Sequence, residues 1–318
     1  MHMQHYFNFT LEVVKSMAKQ AASSTAALPD ERAEQRSMHA PASKPPTLKE
    51  ALVVAAALAA GAWASRDATP DTADPCGLER LPASAALRWR RPPPRPVVLA
   101  PFAANDGFRR RTARAPLLER LGDARVVLTS SNSYSEHELA TTLRAYVEDH
   151  VPRHASDAAA NESYYLFGPQ FDAALEALVE SYAHPACGGA WCARDAFAAS
   201  FGLAGARSGV SFHTHGSGFG EVLHGRKRWI LYPPGDAAPP GFDPDGPTRR
   251  WVDDVLPTLR GADLPAHDCV LGPGELLYFP PRWWHATLNL DDHTVFVSSF
   301  ASDHALEADG GGDLRPGW

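Results

Sequence analysis

Residues 208–234 read SGVSFHTHGSGFGEVLHGRKRWILYPP, and residues 272–290 read GPGELLYFPPRWWHATLNL. Both set short apolar or alternating runs between Gly and Pro, the texture of strands joined by tight turns. Residues two apart on a strand share a face. His213 and His215 can therefore both look into the interior of a closed sheet. The stretch 225–234 is a strand with an apolar face and a lysine, Lys227, able to turn inward while Arg226 and Arg228 turn outward. In the second stretch a turn, an apolar strand and the pair Trp283-Trp284 deliver His285, then Asn289.

Working outward, segments of this kind recur about every ten residues at 208–214, 219–224, 228–232, 275–279, 285–290 and 294–300. That rhythm predicts a mainly β fold with flanking helices, of the sandwich or jelly-roll kind. The Pro- and Asp-rich stretch 235–262 interrupts it as an insertion with a short helix over Trp251–Leu256. Upstream, Val97–Leu99 and Arg125–Leu128 read as short strands. Ser135-x-x-Glu138 has the form of a capping box, and Leu139, Leu143, Tyr146 and Val147 follow at helical spacing, predicting a helix to about Val151. A second amphipathic helix fits Phe171–Tyr182. The domain expected is 76–302, with an α/β part over 76–200, a barrel core over 201–302 and a tail over 303–318.

Each chemical residue alone has an ordinary explanation. A lone strand histidine is usually a hydrogen-bonded core or surface group, a lysine beside an aromatic strand usually lies along the surface, and paired tryptophans are usually core. Together they match a requirement. Oxygen-activating non-haem iron(II) wants protein ligands on one face and open positions on the other. A co-substrate such as 2-oxoglutarate fills two of those positions and needs a cation for its far carboxylate, a role open to Lys227.

Composition limits the alternatives. Thirty Lys and Arg against 37 Asp and Glu give a net charge of −7, with no basic stripe, so a nucleic-acid partner is not expected. Residues 1–75 read as leader and linker. Within them the apolar run 51–64, ALVVAAALAAGAWA, is short for a span but suits a signal-peptide core, with Ala62-Trp63-Ala64 as a cleavage site. The expectation is entry into the secretory pathway, with no membrane span after cleavage. The alternatives are an uncleaved anchor through 51–64 or an Ala-rich cytosolic tail. Sequons occur at Asn161 and Asn8. Four cysteines, with no Cys-x-x-Cys pair, argue against structural zinc. In an oxidising lumen Cys76 and Cys269 would staple the domain entry to the strand before Gly272, and Cys187 and Cys192 would close a small loop. Elsewhere all four stay thiols.

The chain resembles the JmjC-domain family of cupins, and within it a type resident in the endoplasmic-reticulum lumen. The resemblance rests on SNSYS (131–135), YYLFG (164–168), FGLAGARSGV (201–210), FHTHGSGFGEVLHGRKRW (212–229) and GELLYFPPRWWHATLNL (274–290). It implies a double-stranded β-helix with His213 and His285 as iron ligands and Lys227 as the 2-oxoglutarate partner. There are two departures. The family's second ligand is the carboxylate of His-x-Asp or His-x-Glu, and here His215 stands in its place. The residue three before His213, often a hydroxyl, is Val210, for which Ser298 on the last strand is a candidate replacement. Fe(II) and 2-oxoglutarate are the cofactors implied, and the partner implied is a protein, as substrate or binding partner, or a second copy of the chain. Two functions follow: a protein hydroxylase of the secretory pathway with a His-x-His metal motif, or an inactive JmjC-fold adaptor of the same lumen. A three-histidine dioxygenase of small molecules is a minor third. Histone demethylation is not expected.

Overall fold

The computed structural model describes residues 76–131, 137–154, 163–168, 172–192 and 197–301. The apolar run 51–64, Asn161 and the tail lie outside them. Among the described residues no helix is long and apolar enough to cross a membrane.

Among the described residues twelve strands form two sheets. They are β1 (Glu79–Leu81), β2 (Val97–Leu99), β3 (Arg125–Ser130), β4 (Glu138–Thr142), β5 (Tyr164–Phe167), β6 (Phe197–Ala204), β7 (Gly218–His224), β8 (Lys227–Tyr232), β9 (His267–Leu271), β10 (Leu276–Phe279), β11 (Trp284–Asn289) and β12 (Thr294–Ala301). The larger sheet has the order β1-β2-β10-β7-β12-β6-β5-β3-β4, the smaller β11-β8-β9. The segment 208–215 extends the smaller sheet beyond β11: Asn289 N donates to Ser208 O, Thr287 N to Val210 O, and His213 and His285 exchange both backbone bonds. The four strands β10-β7-β12-β6 thus face the four extended segments 208–215, β11, β8 and β9, which is the double-stranded β-helix of a jelly roll.

Strand alternation sorts the side chains into three layers. Val222, Leu277 and Phe279 from the larger sheet meet Trp229, Leu231, Cys269 and Leu271 from the smaller. The outer face of the larger sheet, with Phe201, Leu203, Leu223, Val295 and Val297, packs on helices α1 (Asp106–Thr112), α2 (Arg114–Leu121), α3 and α4 (Ala173–Glu180). Helix α3 is a continuous run of Leu143–Ala145, Tyr146–His150 and Val151–His154, its middle turn wound as π. The outer face of the smaller sheet, Ile230, Tyr232, Trp284 and Ala286, is covered by Phe242, Trp251, Val255 and Leu259 of the insertion.

Two expectations are corrected here. The helix expected from the Ser135-x-x-Glu138 pattern does not begin there. Glu138–Thr142 is strand β4, paired antiparallel with β3, and the helix starts at Leu143 under a Thr142 cap whose side chain accepts from Ala145 N. The segment 208–214 is not a continuous strand but an extended edge broken by a bulge. Both cysteine pairs are bonded: Cys76 to Cys269, with Cα atoms 4.2 Å apart, and Cys187 to Cys192, at 6.0 Å. The first ties the entry of the domain to β9 across 193 residues, a closure of about 5 kcal/mol by the chain-entropy account.

Candidate metal and co-substrate site

The bulge in 208–215 sets the site. Val210 packs with Phe296, Tyr165 and Ala204 inside the barrel, whereas Phe212 packs outside with Trp251 and Tyr232. Ser211 also faces out, its hydroxyl donating to Gly246 O. Two successive outward residues are what one extra residue in a strand produces. They let Val210 and His213, three apart, both look inward. Thr287 secures the bulge, its Oγ1 accepting from Val210 N at 3.2 Å. Gly209 has no Cβ because one would strike the Thr287 carbonyl.

The structure brings His213, His215 and His285 together, each offering a ring nitrogen within 4.8 Å of the others. His285 is buried; His213 and His215 are half-buried. The Nδ1 atoms lie 2.8 Å from Ser211 O, 2.8 Å from Gly216 O and 2.9 Å from Trp283 O, respectively. A carbonyl only accepts, so each Nδ1 carries the proton and each Nε2 keeps a lone pair. The Nε2 atoms of His215 and His285 face each other at 3.1 Å. Two lone pairs at that distance repel, and a shared cation removes the repulsion. Nitrogens about 2.1 Å from one ion and at right angles stand about 3 Å apart. Burial, together with the neighbouring histidine His213, pushes His215 down to about 3, and burial holds His213 and His285 below the ordinary imidazole value. Each imidazole of the donor set is therefore neutral at pH 7 with a free Nε2 lone pair, and the set fits a divalent transition-metal ion.

Lys227 is 2% exposed. Its ammonium donates to Asn289 Oδ1 at 3.3 Å and lies 3.6 Å over the Phe296 ring. Asn289 is oriented by its own Nδ2, which donates to Ser208 O and Oγ. Burial pushes Lys227 down to about 7. Its flanking arginines face out, Arg226 pairing with Asp291 and Arg228 with Asp268. Ser298 is buried on β12. It shares a face with Phe296, over Lys227, and with Phe300, 4.7 Å edge-on to His215. Phe279 stands 4.7 Å from His285 and 5.3 Å from His215. The site is thus a metal-ready triad and a desolvated cation on one barrel wall, enclosed by aromatic rings.

Alternation from His285 also places Thr287 and Asn289 on the same inward face, a signal that names both from sequence. The aromatic wall of Trp229, Phe279 and Phe300 had no such signal, because an inward ring reads as core.

Residues 129–303 match the family model described as a Cupin-like domain. Over 206 residues, 65% of this chain and 75% of the relative, the chain is 42% identical to JmjC domain-containing protein 8 of Homo sapiens. The Mus musculus protein of the same name is 40% identical over 65% of this chain and 74% of its own length. The bifunctional arginine demethylase and lysyl-hydroxylase psr-1 of Caenorhabditis elegans is 33% identical over 113 residues, 31% of this chain and 28% of that protein. The chain belongs to the cupin-like JmjC-domain family.

Proposed function

We propose that the chain is a protein hydroxylase of the secretory pathway that holds Fe(II) on His213, His215 and His285 and 2-oxoglutarate at Lys227. The observation that carries this reading is three histidines with Nδ1 tied off and Nε2 converging, beside a buried ammonium with no counter-charge among the described residues. Fe(II) and 2-oxoglutarate, when bound, supply a two-electron oxidation by dioxygen with succinate and carbon dioxide as co-products. The Ser211, Gly216 and Trp283 carbonyls fix the imidazole orientations. Lys227 binds the far carboxylate, with Asn289 steering its ammonium. Phe279, Trp229 and Phe300 keep water from the site. A protein substrate is in keeping with relatives named as acting on arginine and lysine. The two disulfides and the run 51–64 support a secretory location.

One observation favours an adaptor instead. His215 replaces an anionic ligand, so an ion here keeps one more unit of positive charge than beside a carboxylate. Succinate release under Fe(II) and ascorbate, compared between the parent and His215→Asp, separates the readings. Turnover by the parent that this change reduces supports an active three-histidine enzyme. Turnover gained only by the variant marks a site that lost activity with its carboxylate. No release from either favours the adaptor.

A further inference from the structure

We infer that Trp229 is a second recognition donor of this site: its indole N–H meets an oxygen of the carboxylate held by Lys227. The inference rests on the reading above that a dicarboxylate such as 2-oxoglutarate enters the barrel. Trp229 is 3% exposed, and its Nε1 has no hydrogen-bond partner among the described residues. Buried donors are rarely left without an acceptor, so the vacancy calls for one.

The surroundings say what kind. Lys227 and Trp229 share the inward face of β8, and the ammonium lies 5.9 Å from the centre of the indole ring. A carboxylate accepts from two donors at about 2.8–2.9 Å each, so its two oxygens serve two neighbouring donors on one strand face. The indole cannot swing away. Its six-membered ring occupies the space that a Cβ at Gly220 would fill, and it packs 5.7 Å from Phe279 and 6.0 Å from His285. The ring that carries the donor is therefore held in place beside the cation and the metal-facing histidine. With Val210 supplying no hydroxyl, Trp229 restores a second hydrogen bond from a different strand. Trp191 provides a control. Its Nε1 also has no hydrogen-bond partner among the described residues, but it sits among Phe197, Phe219 and Tyr278 in a separate cluster.

The test uses the Zn(II)-loaded protein, with indole nitrogens labelled with nitrogen-15, titrated with 2-oxoglutarate. The resonance lost in Trp229→Phe is expected to move downfield on binding, while the one lost in Trp191→Phe stays in place. By calorimetry, replacing Trp229 with 3-benzothienylalanine, which keeps the bicyclic ring and removes the N–H, should weaken 2-oxoglutarate roughly tenfold. It should leave zinc affinity unchanged. If 2-oxoglutarate binds the parent without moving the Trp229 resonance, or binds the benzothienyl variant equally well, the inference falls and the proposed function stands. If the parent does not bind 2-oxoglutarate, both fall.

Discussion

Two buried polar clusters sit on opposite sides of the larger sheet, and they are built differently. On the helix side, Glu221 of β7 is fully buried. Its Oε2 accepts from Asn105 at 2.7 Å and from Tyr182 at 2.8 Å, and its Oε1 faces the Arg109 guanidinium at 3.7 Å. Asn105 is in turn locked to both backbone groups of Ala183. Inside the barrel, among the described residues, Lys227 has one amide oxygen and two aromatic rings for company, and the triad offers three lone pairs with no donor to meet them. The first cluster is satisfied within itself at Glu221 Oε2, while Oε1 has only the 3.7 Å ion pair with Arg109, and it acts as a clip between sheet and helices. The second is open, and its unmatched groups are complementary to a cation and an anion. Burial alone does not mark a binding site; metal-ligating and cationic groups converging on one interior do.

The largest effect that separates the two is on metal. His285→Ala and His213→Ala should each lower the affinity for a divalent transition metal by at least about a hundredfold, since even supporting residues of such sites are worth 10–100-fold. Glu221→Gln should leave it within about twofold. Competition against a chromophoric chelator measures both, and a large loss in Glu221→Gln would merge the clusters into one functional unit.

Stability should move in opposite directions. Glu221→Ala strands the buried ends of Asn105 and Tyr182 and one side of Arg109, costing about 3–5 kcal/mol. Lys227→Met removes a desolvated charge with a single acceptor. In the absence of ligands it should be neutral or stabilising, by up to about 3 kcal/mol. Urea unfolding of the two variants checks this, and destabilisation by Lys227→Met would show that its ammonium is already satisfied.

A smaller effect lies in the pH dependence. Burial lowers Lys227 to about 7 from 10.5, so between those values the unfolded chain holds more protons and stability from this group rises with pH. Burial raises Glu221 to about 7 from 4.5, so its contribution is full below 4.5 and is lost as pH climbs through 7. Read as difference curves against the parent, Lys227→Met should remove the rise between pH 7 and 10.5 in the ligand-free melting temperature, and Glu221→Gln the fall between 4.5 and 7. The background is one in which the lowered His213, His215 and His285 make stability rise up to about 6.5.

The strands that build the barrel were largely legible. The expected segments 219–224, 228–232, 285–290 and 294–300 differ from β7, β8, β11 and β12 by at most one residue at either end, because alternation and Gly/Pro punctuation are local signals. Strands β5 and β6 were not read as such. Phe197–Ala204 is rich in Ala and Gly, with weak intrinsic strand preference, and it is strand through pairing with β12 along its whole length. Strand β4 lost to a capping-box pattern for the same reason: β3 beside it is a tertiary fact. The bulge at Ser211-Phe212 was invisible too. Strict alternation back from His213 turns Ser211 inward and Val210 outward, and the structure reverses both. The three histidines and Lys227 were named from sequence because their order and spacing are carried by the chain; the emptiness around Lys227 and Trp229 depends on what other strands fail to bring.

The central claim is that the barrel interior is a linked metal and dicarboxylate site. The most direct measurement is calorimetric titration of 2-oxoglutarate into the protein with and without one equivalent of Mn(II), alongside Lys227→Met and His285→Ala. We expect one 2-oxoglutarate per chain in the Mn(II)-loaded parent, with binding weakened at least tenfold when Mn(II) is withheld, when Lys227 is replaced or when His285 is replaced. Binding of equal strength in all four cases, or none in the loaded parent, would contradict the account.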